Sequence, residues 1–100
     1  MVAWLLLLAL AAPGEMDMTA TAYCLRGRTA TGTRAGAGSI AVDPRVIPLG
    51  SIIHVPGYGR GKAVDTGRLV KGRRIDCWLP SRGACVRWGV RRVRVRVERK

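Results

Sequence analysis

Residues 93–98, Val-Arg-Val-Arg-Val-Glu, alternate strictly between valine and a charged residue. Successive side chains of a β-strand point to opposite faces, so this segment predicts a strand with valines in a core and charges in solvent. Shorter segments of strand-like composition precede it and are separated by Gly- and Pro-containing turns. They are Thr19–Leu25, Ser39–Asp43, Ser51–Val55, Lys62–Asp65 and Ile75–Leu79. About six short strands with little helix predict a mainly β fold, a small β-barrel.

One segment, Ser81–Trp88, predicts a short helix. Ser81 can serve as its N-cap, because a hydroxyl accepts a hydrogen bond from an N–H of the first turn. Gly89 can end the helix, because glycine adopts left-handed backbone angles without strain. Residues 26–38 consist mostly of Arg, Gly, Thr and Ala without periodicity, and they predict a mobile loop.

The chain opens on an apolar run. Residues 2–12 have the length of a signal-peptide core and are too short to span a bilayer, and Ala9-Leu10-Ala11 gives the small-x-small pattern of a cleavage site. No Lys or Arg precedes the run, so a buried apolar segment is the alternative. We predict that residues 1–14 are a signal peptide with an incomplete start and that residues 15–100 form one secreted domain of the bacterial cell envelope.

The chain is strongly basic, with 18 Lys and Arg against 6 Asp and Glu and a formal net charge of +12. Such a charge attracts polyanions: nucleic acid, anionic lipid or an anionic wall polymer. The export-like start, an aromatic content of 5% and the lack of an RNA-binding motif count against nucleic acid, which is not expected as a partner. Arg92, Arg94 and Arg96 could bind anionic wall polymers, or they could form a charged face that blocks edge pairing.

Three cysteines, Cys24, Cys77 and Cys85, are an odd number for an oxidising compartment. Cys77 and Cys85 are the closest pair in sequence. A bridge from Cys24 to either of them would close a longer loop and restrict the unfolded chain more. The sequence leaves the pairing open. It predicts no zinc site, because there is no Cys-x-x-Cys pair and His54 is the one histidine.

Three aspartates stand in the body of this acid-poor chain. Asp43, Asp65 and Asp76 each follow a short β-type run, where a strand can aim the side chain. Carboxylates brought together repel, which raises at least one pKa and makes a general acid possible. A turn-capping role is the alternative, because Asp43 precedes Pro44 and Asp65 precedes a Thr-Gly pair. A cation site is disfavoured by separations of 22 and 11 positions and by the surrounding arginines, so neither a metal nor a cofactor is expected.

Alternation within Ile75–Leu79 orients the third aspartate. Ile75, Cys77 and Leu79 share one face, and Asp76 and Trp78 share the other. With the apolar trio in the core, the acid and the indole would both point outward. An acid beside an aromatic ring suits sugar binding, so this face predicts a glycan groove.

The aspartates lie within a longer string of short motifs. In order, these are Ala20-Thr21-Ala22-Tyr23, Ile40-Ala41-Val42-Asp43-Pro44, Ile47-Pro48-Leu49-Gly50, Pro56-Gly57-Tyr58-Gly59, Asp65-Thr66-Gly67, Val70-Lys71-Gly72 and Arg74-Ile75-Asp76. The string resembles the 3D domain, a family named for three aspartates, from about Met18 to Val97. The resemblance implies a six-stranded double-psi β-barrel with one short helix, similar to the catalytic barrel of membrane-bound lytic murein transglycosylase A. It also implies an exported protein that binds or acts on peptidoglycan.

By this resemblance Asp76 matches the catalytic acid/base, Asp65 the acid that helps to hold it protonated, and Asp43 the acid that orients the site. The expected substrate-binding residues are Thr21, Tyr23, Thr66, Gly67, Lys71 and Trp78, with Lys71 suited to a substrate carboxylate. Arg68 departs from the family pattern, which has a glycine there, and its charge could lower the pKa of the acids. None of the matching motifs corresponds to the second, substrate-binding domain of the lytic enzymes.

The resemblance therefore implies lytic transglycosylase-like cleavage of the MurNAc–GlcNAc bond by a single aspartate. The alternative is a non-catalytic peptidoglycan-binding module that uses the same groove. In both cases the expected partners are peptidoglycan glycan strands and anionic wall polymers.

Overall fold

The computed structural model describes residues 14–98. They form six strands and one helix: β1 (Glu15–Tyr23), β2 (Ser39–Ala41), β3 (Ile52–Val55), β4 (Gly59–Asp65), β5 (Arg74–Trp78), α1 (Arg82–Trp88) and β6 (Arg91–Glu98). The strands close into a barrel in the order β1-β5-β2-β4-β3-β6. The predicted fold class, a mainly β six-stranded barrel with one short helix, is confirmed. The predicted signal peptide lies almost wholly outside the described residues.

Two of the strand pairs, β1 with β5 and β2 with β4, are parallel, and the other pairs are antiparallel. Parallel neighbours cannot be joined by a tight hairpin, so each pair needs a long connection that crosses the barrel. Between β1 and β5, and between β2 and β4, the chain forms other strands and the loops that join them. The pairing also sets β2 between β4 and β5, which determines where two of the aspartates lie.

The alternation in β6 is the one that the sequence predicts. Val95 and Val97 are buried, and Arg94 and Arg96 are exposed. Met18 and Ala20 from β1 reach the same core, because β1 pairs with β6 along the register from Glu15–Arg96 to Ala20–Arg91. This pairing extends β1 to Glu15, four residues before the predicted start at Thr19.

The helix boundaries agree with the predicted caps. The Ser81 hydroxyl accepts a hydrogen bond from the N–H of Ala84, and Gly89 has φ 68° with its N–H bonded to the Cys85 carbonyl. Trp88 is buried, and its indole N–H donates to the carbonyl of Ala20 at 3.2 Å. Among residues 14–98, no helix has the length and apolar character needed to cross a membrane.

The segment from 26 to 38 is irregular, as predicted, but it is tied to the barrel. An isolated bridge joins Arg28 and Arg34, and the buried Thr29 hydroxyl lies 2.7 Å from that of Thr33. The N–H of Thr31 donates to the carbonyl of Val64 in β4 at 3.0 Å. The sequence did not signal these bonds, since hydroxyl-to-hydroxyl and backbone contacts leave no periodic pattern.

Gly61 is expected to tolerate no side chain. An added Cβ would lie 2.5 Å from Ile40 Cδ1 and 2.8 Å from the carbonyl oxygen of Gly38, a backbone atom that cannot move cheaply. Gly61→Ala should therefore lower the free energy of unfolding by about 1–3 kcal/mol, measured by urea titration. Gly36→Ala is the control, because its Cβ would meet nothing within 4 Å. Equal stability of the two variants would contradict this packing.

Candidate functional site

A groove of about 290 Å³ opens where β2 separates β4 from β5. Five residues predicted from the sequence line it: Tyr23, Asp65, Thr66, Gly67 and Asp76. The remaining lining residues are Leu25, Arg26, Gly27, Arg28, Ala35, Ala41 and Val70. The groove therefore combines two acids, two arginines and a largely apolar wall.

The register of β2 brings the two acids of the groove together. Ala41 pairs with Asp65 of β4 on one side and with Asp76 of β5 on the other. A register shift between Ile40 and Ala41 is required for this, because Ile40 pairs with Ala63 and a regular ladder would then set Ala41 opposite Val64. A shift of one residue exchanges the two faces of a strand. The register shift therefore places the carboxylate of Asp65, rather than the side chain of Val64, beside the groove.

Asp76 is half-buried in the groove. Its Oδ1 accepts a hydrogen bond from the Thr21 hydroxyl at 3.1 Å. Burial raises the pKa of the Asp76 carboxyl, and this effect exceeds the lowering by the Thr21 bond and by the charge of Arg74. Asp76 therefore keeps its proton to a higher pH than an ordinary aspartate.

Thr21 is suited to both protonation states of Asp76. Its hydroxyl lies 3.1 Å from Asp76 Oδ1 and 3.3 Å from the carbonyl oxygen of Ile75. A hydroxyl can donate and accept. Thr21 can donate to the ionised carboxylate, or donate to Ile75 while accepting from the protonated acid.

Asp65 holds the walls of the groove. Its Oδ1 accepts hydrogen bonds from the N–H groups of Ala30 and Thr66, both at 2.9 Å. The first bond fixes the segment 26–38, and the second fixes the turn after β4. The predicted turn-capping role therefore applies to Asp65 within the groove.

Tyr23 lies close to both acids of the groove. The pKa of its phenol is raised, first by burial and then by the negative charges of Asp65 and Asp76. Among residues 14–98 the buried Tyr23 hydroxyl has no hydrogen-bond partner. Its apolar ring and phenol form part of the wall beside the acids.

The physical cause of the raised Asp76 pKa differs from the predicted one. The sequence predicts a pKa raised by repulsion between carboxylates, whereas burial is the cause in the structure. Arg68, expected to lower the pKa of the acids, is exposed and does not line the groove; the lowering charge is that of Arg74.

Asp43 is buried away from the groove, with a side-chain exposure of 2%. Its carboxylate accepts three hydrogen bonds from Arg45 and one from the N–H of Gly72, at 2.8–3.0 Å. The bonds from Arg45 first, and then the bond from Gly72, hold the pKa of Asp43 far below its usual range. A carboxyl that stays ionised cannot donate a proton. These bonds, which join two turns, support the turn-capping alternative for Asp43, and its predicted role in orienting the site stays a prediction.

Trp78 and Lys71 also lie outside the groove lining. Trp78 is 8% exposed, its indole N–H donates to the Leu25 carbonyl at 3.0 Å, and it borders a separate depression with Tyr58. The expectation that Asp76 and Trp78 share an open face therefore needs correction, because the chain after β1 covers the indole. Lys71 is exposed on the loop before β5.

Arg26 and Arg28 are the charged residues among the lining residues not predicted from the sequence. Both come from the segment read as a mobile loop, and Arg28 is held by a bond from its Nη1 to the Gly32 carbonyl at 2.8 Å. The available signal was two arginines directly after a strand predicted to line the groove. Within residues 14–98, no three His, Cys, Asp or Glu side chains are grouped so that they could hold a metal ion.

The comparison with known families adds an independent observation. The family model of the 3D domain matches residues 38–98. The chain belongs to the 3D domain family. The match spans β2 to β6 and therefore includes all three aspartates.

Relatives of this 3D domain come from Bacillus subtilis (strain 168). The chain is 47% identical over 92 residues to the cell wall-binding protein YocH, an alignment that covers 83% of the chain and 32% of YocH. It is 43% identical over 91 residues to YabE, provisionally named a cell wall shaping protein, covering 82% of the chain and 22% of YabE. A prophage-derived uncharacterised protein, YorM, is 38% identical over 88 residues, covering 75% of the chain and 37% of YorM. The chain thus spans well under half the length of these relatives.

Neutralising Asp43 and neutralising Asp76 are expected to shift stability in opposite directions. Asp43→Asn removes a charge that four hydrogen bonds stabilise, so the melting temperature at pH 7 should fall by about 5 °C or more. Asp76→Asn removes a charge that burial disfavours, so the melting temperature should rise. Circular dichroism measures both. Asp17→Asn, at an exposed ion pair with Arg94, is the control and should change little.

The pKa shifts of Asp43 and Asp76 determine how the stability of the fold changes with pH. The pKa of Asp43 is lowered on folding. Its contribution to the free energy of unfolding is therefore fully present above pH 3.8 and is lost as the pH falls through the pKa of the folded state. The pKa of Asp76 is raised, so the folded chain retains a proton that the unfolded chain releases above 3.8, and stability falls as pH rises. The gain from Asp76→Asn should therefore shrink below pH 3.8. A gain independent of pH would show that Asp76 does not titrate this way.

Proposed function

We propose that this 3D domain cleaves peptidoglycan glycan strands at the bacterial cell envelope, with Asp76 as the single acid/base of a lytic transglycosylase-like reaction. The observation that carries the proposal is a half-buried carboxyl on a groove, with its pKa raised by burial. A general acid must hold its proton at the working pH, and burial shifts the pKa of Asp76 in the direction that this requires. The cell-wall names of YocH and YabE support the class of substrate.

The proposed reaction uses one carboxyl group, first as a general acid and then as a general base. Protonated Asp76 gives its proton to the oxygen of the MurNAc–GlcNAc bond, and that bond breaks with GlcNAc leaving as the alcohol. The muramyl C6 hydroxyl then attacks C1 of the same sugar while the Asp76 carboxylate takes its proton. The product is a 1,6-anhydro ring, no water is consumed, and Asp76 ends protonated. This differs from ordinary glycosidases, which need a second carboxylate as nucleophile or base.

The other residues of the groove have supporting roles in this proposal. Thr21 bonds Asp76 in either protonation state, and Asp65 positions the walls through Ala30 and Thr66. Tyr23 and Gly67 border the sugar. Arg26 and Arg28, rather than Lys71, bind a lactyl or stem-peptide carboxylate of the substrate, because they line the groove and Lys71 does not.

The reaction is tested by its product. Incubation of the purified chain with sacculi should release 1,6-anhydromuropeptides, detected by mass spectrometry. Asp76→Asn should reduce the yield at least about 100-fold, because loss of a general acid typically costs 10²–10⁴ in rate. Asp17→Asn, an acid on the outer face of β1 paired with Arg94, is the matched control and should keep the wild-type yield. Equal yields from wild type and Asp76→Asn would remove Asp76 from the reaction.

A non-catalytic peptidoglycan-binding module is the second candidate, and the two arginines of the groove favour it. Arg26 and Arg28 give the groove a cationic side that an anionic glycan would contact whether or not cleavage follows. The formal net charge of +12 and the name of YocH agree with binding to the wall. Sacculus binding without anhydro products would establish this candidate over the enzyme.

Binding at the groove is expected to depend on Arg26. Arg26→Ala should weaken sacculus retention several-fold in a co-sedimentation assay at fixed salt, because it removes a cation from the lining. Arg92→Ala is the control, since it removes the same charge from β6, outside the groove. Equal loss in both variants would assign binding to the general basic charge instead.

A further inference from the structure

Two of the three cysteines meet in the folded chain. Cys24 directly follows β1, and Cys85 lies in α1. Both are partly exposed, and the Cys24 side chain lies close enough to Cys85 to add to the raising of the Cys85 thiol pKa, of which burial is the larger cause. Cys77, in contrast, is completely buried within β5.

The fold brings this pair together by fixing α1 against β1 at two points. The N–H of Leu79, shortly before the helix, donates to the Tyr23 carbonyl at 2.8 Å. The indole of Trp88, in its last turn, donates to the Ala20 carbonyl at 3.2 Å. Residues three apart share one face of a helix, so Cys85 faces the same side as Trp88. The helix therefore presents Cys85 to the end of β1, where Cys24 lies.

We propose that Cys24 and Cys85 form a disulfide bond in the mature protein. The two thiols lose two protons and two electrons as the S–S bond forms. The electrons pass to a disulfide, either of a thiol–disulfide oxidoreductase or of a small molecule, which is reduced to two thiols. Cys77 remains a free thiol because the core covers it, and burial raises its pKa to about 12.

The bridge would act on the groove as well as on the fold. It joins positions 61 apart, so it restricts the unfolded chain over most of the barrel. It also anchors the chain immediately before Leu25 and Arg26, which line the groove. A reduced chain would lose this anchor between β1 and the arginine-bearing segment.

Thiol mapping tests the pairing directly. The purified chain is refolded with oxidised glutathione, denatured, alkylated with iodoacetamide, digested and analysed by mass spectrometry. Cys24 and Cys85 should appear as one cross-linked peptide pair that reductant separates, with Cys77 alkylated. Alkylation of all three cysteines, or a bridge that includes Cys77, would overturn the proposal.

Stability provides a second readout. Reductant should lower the melting temperature of the oxidised wild-type chain by roughly 10 °C or more, since a bridge closing a long loop constrains the unfolded state. Cys24→Ser combined with Cys85→Ser should remove this response, and Cys77→Ala should keep it. A response that persists without Cys24 and Cys85, or is absent in the wild type, would contradict the bridge.

Discussion

The site depends on the position of one short strand. β2 has three residues, yet it joins β4 on one side and β5 on the other, and Ala41 opposes an aspartate on each. The shift between Ile40 and Ala41 makes this possible, because it sets Asp65 rather than Val64 opposite Ala41. Ala41 also suits the position, since its methyl group fills little of the groove that it helps to line. The closed barrel, with no free edge at β2, holds the arrangement in place.

The three aspartates have three different electrostatic environments. Four hydrogen bonds, two of them from the Arg45 guanidinium, keep Asp43 ionised beneath two turns. Asp65 accepts two backbone N–H groups and holds the walls of the groove. Asp76 receives a single hydroxyl bond while burial disfavours its charge. Repulsion between the acids is therefore not the cause of these differences. The environment of each aspartate depends on its burial and on the hydrogen-bond donors around it.

The sequence predicts the parts of the molecule whose signals are local. Alternation in β6 identifies its buried valines, and Ser81 and Gly89 mark the ends of α1, because periodicity and caps depend on neighbouring residues. The groove was predicted only in part, since Tyr23, Asp65 and Asp76 meet through pairings between distant strands. Trp78 is buried rather than exposed as predicted, because alternation identifies the two faces of a strand but not what covers them. Here the chain at Leu25 covers the indole. Arg26 and Arg28 lie in a segment without periodicity, where only tertiary hydrogen bonds determine position.

The cost of burying Asp76 bears on the choice between enzyme and binding module. An acid whose pKa rises on folding lowers the stability of the folded chain at neutral pH, since its ionised form is disfavoured there. A module that only binds glycan gains nothing from that cost, because an exposed carboxylate or an amide would accept the same hydrogen bonds. A proton donor does gain, because burial raises the pKa of its carboxyl. Asp43 serves as an internal comparison: where the same barrel uses an aspartate for structure, it surrounds the carboxylate with donors. The sparse hydrogen bonding at Asp76, together with its burial, is therefore the feature that supports the proposed acid/base role.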